Sequence, residues 1–448
     1  MKYEEDYPRT LIVGAYFSEQ SGSGTFLGRL FSNWPTDRVA AVCGGISSPD
    51  WLRCSRYYQT GDLEFRIYGS FKRFLSIIAS GTIHPSAMVV TPVDKVSRKI
   101  SLSRRLAQYA WRAFLRLLGG GEILYDVGPS LQLLEWVQDF QPEIIYGHFS
   151  SLNSLRFLSR LQQALDIPLV LHFMDDWPAT LYRDNWLSCF LRPRYLTEFA
   201  ALVGSSSVAI AICKEMAEEY EQRYHRPVLS LPMPVEMDGY LTTARKQRKV
   251  GQPFRLRYGG RVGWAIRESL GDLAQAIHSL RQNGADVTFD IATFQTEQVT
   301  PVCYSSSGVN VHTPGPLAEM PQMQAEADIL IICYDFDQES FLQARYSMPS
   351  KLGDCMASGT PILVYGPAGL PVVEYARREG WGKIVDRRDP NVLRAAICEL
   401  MESESLRGQL GEKAKHLTTE IHDAKVVSES FRTILQGAID RKAQRIMF

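Results

Sequence analysis

The chain has 448 residues, 45% hydrophobic and 22% charged, with 49 basic and 49 acidic side chains and a formal net charge of zero. That length exceeds one ordinary domain and predicts two or three, with ample material for a core. The balanced charge points to neither nucleic acid nor a strongly anionic partner, and no apolar run reaches the ~18 residues that a membrane span needs.

The eight cysteines, at 43, 54, 189, 213, 303, 333, 355 and 398, stand apart from one another. None forms a C-x-x-C pair, and Cys213 and Cys333 lie inside apolar runs, so reduced, buried thiols are expected. Met1-Lys-Tyr-Glu-Glu-Asp6 is acidic and no secretory apolar segment follows. A cytoplasmic location is expected.

Thr10–Phe17 reads as a buried first strand. The Gly/Ser-rich loop Ser21–Gly24 follows, then an amphipathic helix through Phe26, Leu27, Leu30 and Phe31, then a second strand over Arg38–Cys43. This β-loop-α-β opening predicts a doubly wound sheet. Gly22-x-Gly24-x-x-x-Gly28 invites a dinucleotide reading. That site needs an acid after the second strand, where this chain has Cys43-Gly-Gly-Ile-Ser47, so the signal is weak.

Residues 95–117 are basic and amphipathic, with Lys95, Arg98, Lys99, Arg104, Arg105, Arg112 and Arg116 against an apolar stripe. Such a helix fits an anionic membrane surface, and it equally fits a core-facing stripe with a solvated basic face. Glu143–Tyr146 and Pro168–His172 read as parallel strands separated by a helix around Leu155–Leu165. The second strand runs into His172-Phe-Met-Asp-Asp176, and the carboxyl end of a strand is where open α/β sheets place ligands. Asp175 and Asp176 fit acceptor binding or the cap of the next helix. After a strand over Ser207–Cys213 and a polar helix over Lys214–Arg223, the prolines of Val228–Val235 mark an interdomain linker.

The second half repeats the layout. Phe254–Tyr258 is its first strand, Gly259-Gly-Arg261 a turn, and a helix runs from about Ile266 to Gln282. Arg261 and Arg267, six residues apart at a strand-loop-helix junction, would neutralise a diphosphate. Val287–Ala292, Val309–His312, Ala327–Cys333 and Gly382–Val385 read as strands. Asp335-x-Asp337 matches a common metal pattern, but in a loop before a helix that requires no metal.

The most informative stretch is Ser347–Tyr365. Pro349 and Ser350 suit a helix start, Leu352, Cys355 and Met356 fall on one apolar face, Gly359 and Pro361 end the helix, and Ile362–Tyr365 is a buried strand. A helix opening on Ser350-Lys351 offers amide N–H groups and a cation to a phosphate. Asp354, one turn on, is placed to accept hydrogen bonds from sugar hydroxyls or simply to complement the helix dipole.

Pro349-Ser-Lys-Leu-x-Asp-x-Met-Ala-x-Gly-x-Pro361 resembles the nucleotide-sugar motif of family 4 (group 1) glycosyltransferases, which have the GT-B fold. That motif carries two glutamates eight positions apart. Here the second falls on Asp354 and the first on Tyr346, which leaves the hold on the donor sugar open. The resemblance implies an α/β protein with two doubly wound, Rossmann-like domains facing across a cleft. Residues 1–235 would form an acceptor-binding domain and 236–424 a nucleotide-sugar-binding domain, with a helix over 425–448 returning to the first.

It also implies roles for single residues. His172 would lie near the donor sugar, with Asp176 beside the acceptor and Arg261 and Arg267 on the diphosphate. The amides of Gly22, Ser23 and Gly24 would face the diphosphate across the cleft. The turn ending at Leu317 would meet the nucleobase, and Ser350, Lys351 and Asp354 would hold the rest of the donor. The implied activity is metal-independent, retaining transfer of a sugar from a nucleotide-diphosphate-sugar, with no other cofactor. The acceptor is a hydroxyl of a sugar, a lipid-linked sugar or a small molecule, in polysaccharide or glycolipid synthesis, with 95–117 as a peripheral membrane contact. Tyr346 in place of an acid keeps a non-catalytic nucleotide-sugar-binding subunit open, and a sugar-nucleotide epimerase would need only the same fold.

Overall fold

The computed structural model describes residues 7–67, 78–85, 122, 125–183, 190–243, 251–263 and 265–447. The basic stretch 95–117 and the polar residues Arg245, Lys246, Arg248 and Lys249 lie outside them.

The first lobe contains β1 (Thr10–Val13), β2 (Val39–Cys43), β3 (Arg56–Gln59), β4 (Phe65–Ile67), β5 (Gly81–Ile83), β6 (Tyr125–Val127), β7 (Ile144–Gly147), β8 (Leu169–Phe173), β9 (Val208–Ala211) and β10 (Leu229–Ser230). Eight of these form one sheet in the order β10-β9-β8-β7-β1-β2-β3-β5, while β4 pairs with β6. All but the edge strand β5 run parallel. Helices cover both faces of such a sheet, which is why β1, β7 and β8 are apolar without alternation and wholly buried.

The second lobe contains β11 (Phe254–Gly259), β12 (Val287–Ala292), β13 (Val309–His312), β14 (Ile329–Cys333), β15 (Ile362–Tyr365) and β16 (Gly382–Val385). They form a parallel sheet ordered β13-β12-β11-β14-β15-β16, with an apolar cluster on each face. In both lobes the opening strand lies inside the sheet and the strand order reverses beside it, at β1/β7 and at β11/β14. Such switch points open a crevice at the carboxyl ends of the strands.

Two crossovers join the lobes, and they are bonded to each other. Val235 N donates to His422 O at 2.7 Å and Ala424 N donates to Val235 O at 2.8 Å. The His422 ring is held between Met233 O (3.1 Å) and the Tyr375 hydroxyl (3.0 Å). Gly353 is required here, because a Cβ on it would fall 2.2 Å from a Val235 methyl. Beyond the crossover, the helix Ala424–Met447 returns to the first lobe. Its Val427, Phe431, Leu435 and Ala438 join that lobe's core, with the Phe431 ring edge-on to Phe31 and Tyr146. Burying a Phe and a Leu contributes roughly 1.5–3 kcal/mol each, so the last helix ties the second lobe to the first. No helix among the described residues is long and apolar enough to cross a membrane.

Candidate active site between the lobes

The second lobe presents cations at its switch point. Strand β11 ends at Gly259-Gly260, and Gly260 adopts φ 142°, a backbone shape that a side chain would strain. Lys351 Nζ lies 3.5 Å from the place that a Cβ on Gly260 would take, an ordinary contact. Lys351 Nζ sits over the Tyr258 ring, 3.5 Å from its centroid. It is buried and has no hydrogen-bond partner among the described residues. Burial pushes its pKa down. A buried ammonium without an anion is unfavourable, and the ring face offsets only part of that cost.

Arg261, next in the chain, and Arg267, at the start of the helix Arg267–Gln282, are both exposed. Neither is ion-paired among the described residues. The Tyr258 hydroxyl donates to Arg261 O at 2.6 Å and fixes that turn. Lys351 Nζ therefore lies at the Gly260 turn, and Arg261 is the next residue of that turn.

The acids of this lobe are committed elsewhere. Asp335 is fully buried and accepts from Glu268 N (3.2 Å) and Ser269 N (2.7 Å), capping the Arg267–Gln282 helix. Asp337 caps the helix Gln338–Ala344 through Glu339 N and Ser340 N. The D-x-D pattern is thus a pair of helix caps. Among the described residues no cluster of three His, Cys, Asp or Glu could hold a metal ion.

The helix after Lys351 is short, Leu352–Ala357, with Lys351 in the half-helical position before it and no side-chain cap. Ser350 is exposed in the preceding turn, closed by Leu352 N donating to Pro349 O at 2.9 Å. It does not cap, because the helix begins two residues later than its sequence suggests. Leu317 opens the turn Leu317–Glu319, and its side chain lies outside what is described.

Asp354 has a partner that the sequence did not suggest. Both its oxygens accept from Arg29 of the first lobe, at 2.9 and 3.1 Å, and the Tyr240 hydroxyl donates to it at 3.2 Å. Its side chain is 17% exposed and that of Arg29 14%. The carboxylate expected on a sugar thus fastens one lobe to the other.

In the first lobe, the glycine loop proves to be the first turn of the helix Gly22–Leu30. Ser21 caps it by accepting from Gly24 N at 3.0 Å. Gly22 and Ser23 are exposed at that start. Gly24 is glycine for packing, since a Cβ would fall 2.3 Å from Ser18 O. Phe26 of this helix meets the His172 ring edge-on at 5.5 Å.

His172 is 4% exposed at the end of β8. Its Nδ1 shares a hydrogen bond of 2.8 Å with the Tyr146 hydroxyl, and its Nε2 is buried without a partner. The β7–β8 register pairs Tyr146 with Val170 and Gly147 with Leu171, so the next residue, His148, comes beside His172. The two rings are near-parallel, 6.1 Å apart. His148 Nε2 is also buried and unpartnered. Burial lowers the His148 pKa to about 4, and burial together with His148 pushes that of His172 well below the ordinary value. Both imidazoles are neutral at pH 7, available as hydrogen-bonding groups rather than cations.

Asp176 is 2% exposed and fully engaged. It accepts from Arg223 (2.9 Å) and the Tyr220 hydroxyl (3.0 Å), and pairs with Arg345 of the second lobe (3.5 Å). Beside it, the Ser347 hydroxyl donates to Asp175 at 3.1 Å, and the Cys213 thiol to Tyr346 O at 3.8 Å. Tyr346, at the position of the missing acid, shares a hydrogen bond with Glu219 and packs with Met348 on the first lobe's core. The segments 172–176 and 345–348, read as functional from opposite halves of the sequence, therefore touch across the cleft. His148, Arg29 and Arg345 were not foreseen. Only His148 carried a signal, as a second histidine immediately after a buried strand.

Two doubly wound lobes joined by paired crossovers, with a C-terminal helix returning to the first, define the GT-B fold. Residues 253–403 match the family model of glycosyl transferases group 1, and the chain has the GT-B fold. Similar solved structures share the architecture across nearly all of both chains. They include Anabaena Alr3699/HepE in complex with UDP and glucose (12% identity, TM-score 0.58, 96% of this chain and 100% of that one). Sucrose-phosphate synthase (tll1590) from Thermosynechococcus elongatus is another (11%, 0.60, 97% and 100%). So is WaaG, a glycosyltransferase involved in lipopolysaccharide biosynthesis (12%, 0.56, 96% and 100%). No curated protein matches the chain in sequence.

Proposed function

We propose that the chain transfers a sugar, with retention and without a metal ion, from a nucleotide-diphosphate-sugar on the second lobe to a hydroxyl acceptor on the first. The observation that carries this is the buried Lys351 ammonium, unpartnered beside Gly260 and next to Arg261. As the glycosidic bond to the diphosphate breaks, negative charge grows on the departing phosphate oxygens. Lys351, Arg261 and Arg267 are the cations that stabilise it, the role a metal would otherwise fill. The leaving phosphate takes the acceptor's proton, so no separate base is needed. The neutral Nε2 of His172 hydrogen-bonds the donor sugar. The UDP and UDP-glucose complexes of HepE support a uridine donor. The product is a polysaccharide or glycolipid precursor.

The test is isothermal titration with UDP and UDP-glucose, with Lys351→Ala and Arg261→Ala beside the parent. Binding that weakens in both variants and sugar transfer that collapses are expected; unchanged affinity and rate would overturn the reading. A second reading, a subunit that binds the donor without turning it over, is favoured by one observation. Arg29 and Tyr240 occupy Asp354, and Tyr346 replaces the other acid. UDP-glucose bound tightly and recovered intact with every acceptor offered would select it.

A further inference from the structure

We propose that Asp175 holds the donor sugar, its open carboxylate oxygen accepting a hydrogen bond from a sugar hydroxyl in the crevice between the lobes. This rests on the transferase reading above and assigns the sugar end of the donor.

The acids around Asp175 are spent on protein partners. Asp176 accepts from Arg223 and Tyr220 and pairs with Arg345. Asp354 is held by Arg29 and Tyr240, and Glu219 accepts from Arg223 at 2.6 Å. Asp175 differs. Its Oδ1 accepts from the Ser347 hydroxyl of the second lobe at 3.1 Å, and its Oδ2 has no hydrogen-bond partner among the described residues. Nor does it cap the next helix, because Trp177–Thr180 opens on Asp176 without a side-chain cap. Asp175 is exposed, yet desolvation by the surrounding protein pushes its pKa up, with the Ser347 hydroxyl opposing. A carboxylate that is both open to solvent and crowded by protein lies in a crevice, not on a convex surface.

The crevice is the one at the β11/β14 switch point. Asp175 follows β8 by two residues, on the same strand end as His172. Its charge reaches Tyr334, the residue after β14, and raises the pKa of that hydroxyl further than burial and Cys333 do alone. Tyr334 in turn acts on Tyr258, whose ring carries the Lys351 ammonium. Ser347 stands four residues before Lys351, a stretch that spans at most about 14 Å.

The signs of the charges then divide the donor between the lobes. A diphosphate is repelled by a carboxylate at short range and attracted by Lys351. A sugar brings neutral hydroxyl donors, and hydrogen bonds to a charged acceptor are the strong ones. The phosphates therefore lie toward Lys351 and the sugar toward Asp175.

The experiment titrates the full chain calorimetrically with UDP and with UDP-glucose, UDP-galactose and UDP-N-acetylglucosamine, and takes forward the sugar nucleotide that binds tightest. Asp175→Asn keeps the shape and an acceptor for Ser347 but removes the charge. The expected result is UDP affinity within about twofold of the parent, an unchanged melting temperature, and sugar-nucleotide affinity weakened roughly tenfold, a change worth about 1.4 kcal/mol. Equal weakening of UDP and the sugar nucleotide would show a residue that only shapes the crevice and would overturn the proposal. So would an unchanged affinity for the sugar nucleotide, or a parent that binds UDP and none of the three sugars. Ser347→Ala removes the bond between the lobes and leaves the carboxylate; a loss as large as that in Asp175→Asn would make that bond the whole role of Asp175 and overturn the proposal too. A parent that does not bind UDP at all would overturn the transferase reading and this assignment with it.

Discussion

Arg29 grips Asp354 through two N–H···O bonds that cross from one lobe to the other, at 2.9 and 3.1 Å, with the Tyr240 hydroxyl as a third donor. Both side chains are mostly shielded from water, so the pair is worth more than a surface ion pair, and breaking one side strands a charge. A double-mutant cycle of Arg29→Ala and Asp354→Ala, read by denaturant unfolding, should show a coupling of about 1–2 kcal/mol. Coupling near zero would mean that the two groups are hydrated separately and that Asp354 is free for a ligand.

Lys351 sets stability against binding. Its ammonium is buried over Tyr258 with no anion, and its pKa is lowered by burial. Lys351→Met keeps the length and removes the charge. The free protein should melt a few degrees higher, while UDP binding loses about 1.5–3 kcal/mol, roughly 10- to 100-fold. A lower melting temperature together with unchanged affinity would show that the cation has a structural role only.

The fold was largely legible because its strands are apolar runs. Thr10–Val13, Ile329–Cys333 and Ile362–Tyr365 stand out from polar flanks as buried parallel strands must. The periphery of the first lobe was not. Arg56–Gln59 and Gly81–Ile83 are short edge elements with mixed side chains, and β4 pairs with β6 across a sequence separation that no local pattern reveals. The helices Leu131–Phe140 and Leu191–Ser205 likewise went unassigned.

The candidate site was legible where one segment forms it, as at the Gly260-Arg261 turn and the helix start at Lys351. It was illegible where two distant segments share a charge. Nothing near Asp354 announces Arg29, which is 325 residues away, and nothing near Asp176 announces Arg345. A capping aspartate such as Asp335 looks like a metal ligand until the amides that it accepts from are seen.

The paired histidines predict a loss of stability in acid. In the unfolded chain each titrates near 6.5, whereas burial holds His148 at about 4 and His172 well below its ordinary value. A group whose folded pKa is depressed contributes stability that is complete above the unfolded value. As pH falls from about 6.5 toward 4, the unfolded chain takes up protons that the folded one refuses, and the balance shifts toward unfolding. The melting temperature should therefore fall across that window, and His148→Gln should flatten part of the fall. The same slope in wild type and variant would assign it to other groups.

Asp176 separates a bracing role from a catalytic one. Its carboxylate holds Arg223, Tyr220 and, from the other lobe, Arg345. Asp176→Ala would leave two guanidinium groups facing each other around an empty buried position. The arginines are 24% and 29% exposed and can turn toward water, so the loss should be about 2–3 kcal/mol rather than the larger values of fully buried pairs. Asp176→Asn keeps the shape and the Tyr220 contact but weakens both arginine contacts, and should fall between. A bracing residue moves stability in this order and, because Arg345 leads into Tyr346-Ser347, also weakens the UDP-glucose binding proposed for the second lobe. A residue acting on the acceptor alone would leave stability and donor affinity untouched and depress only the rate of transfer.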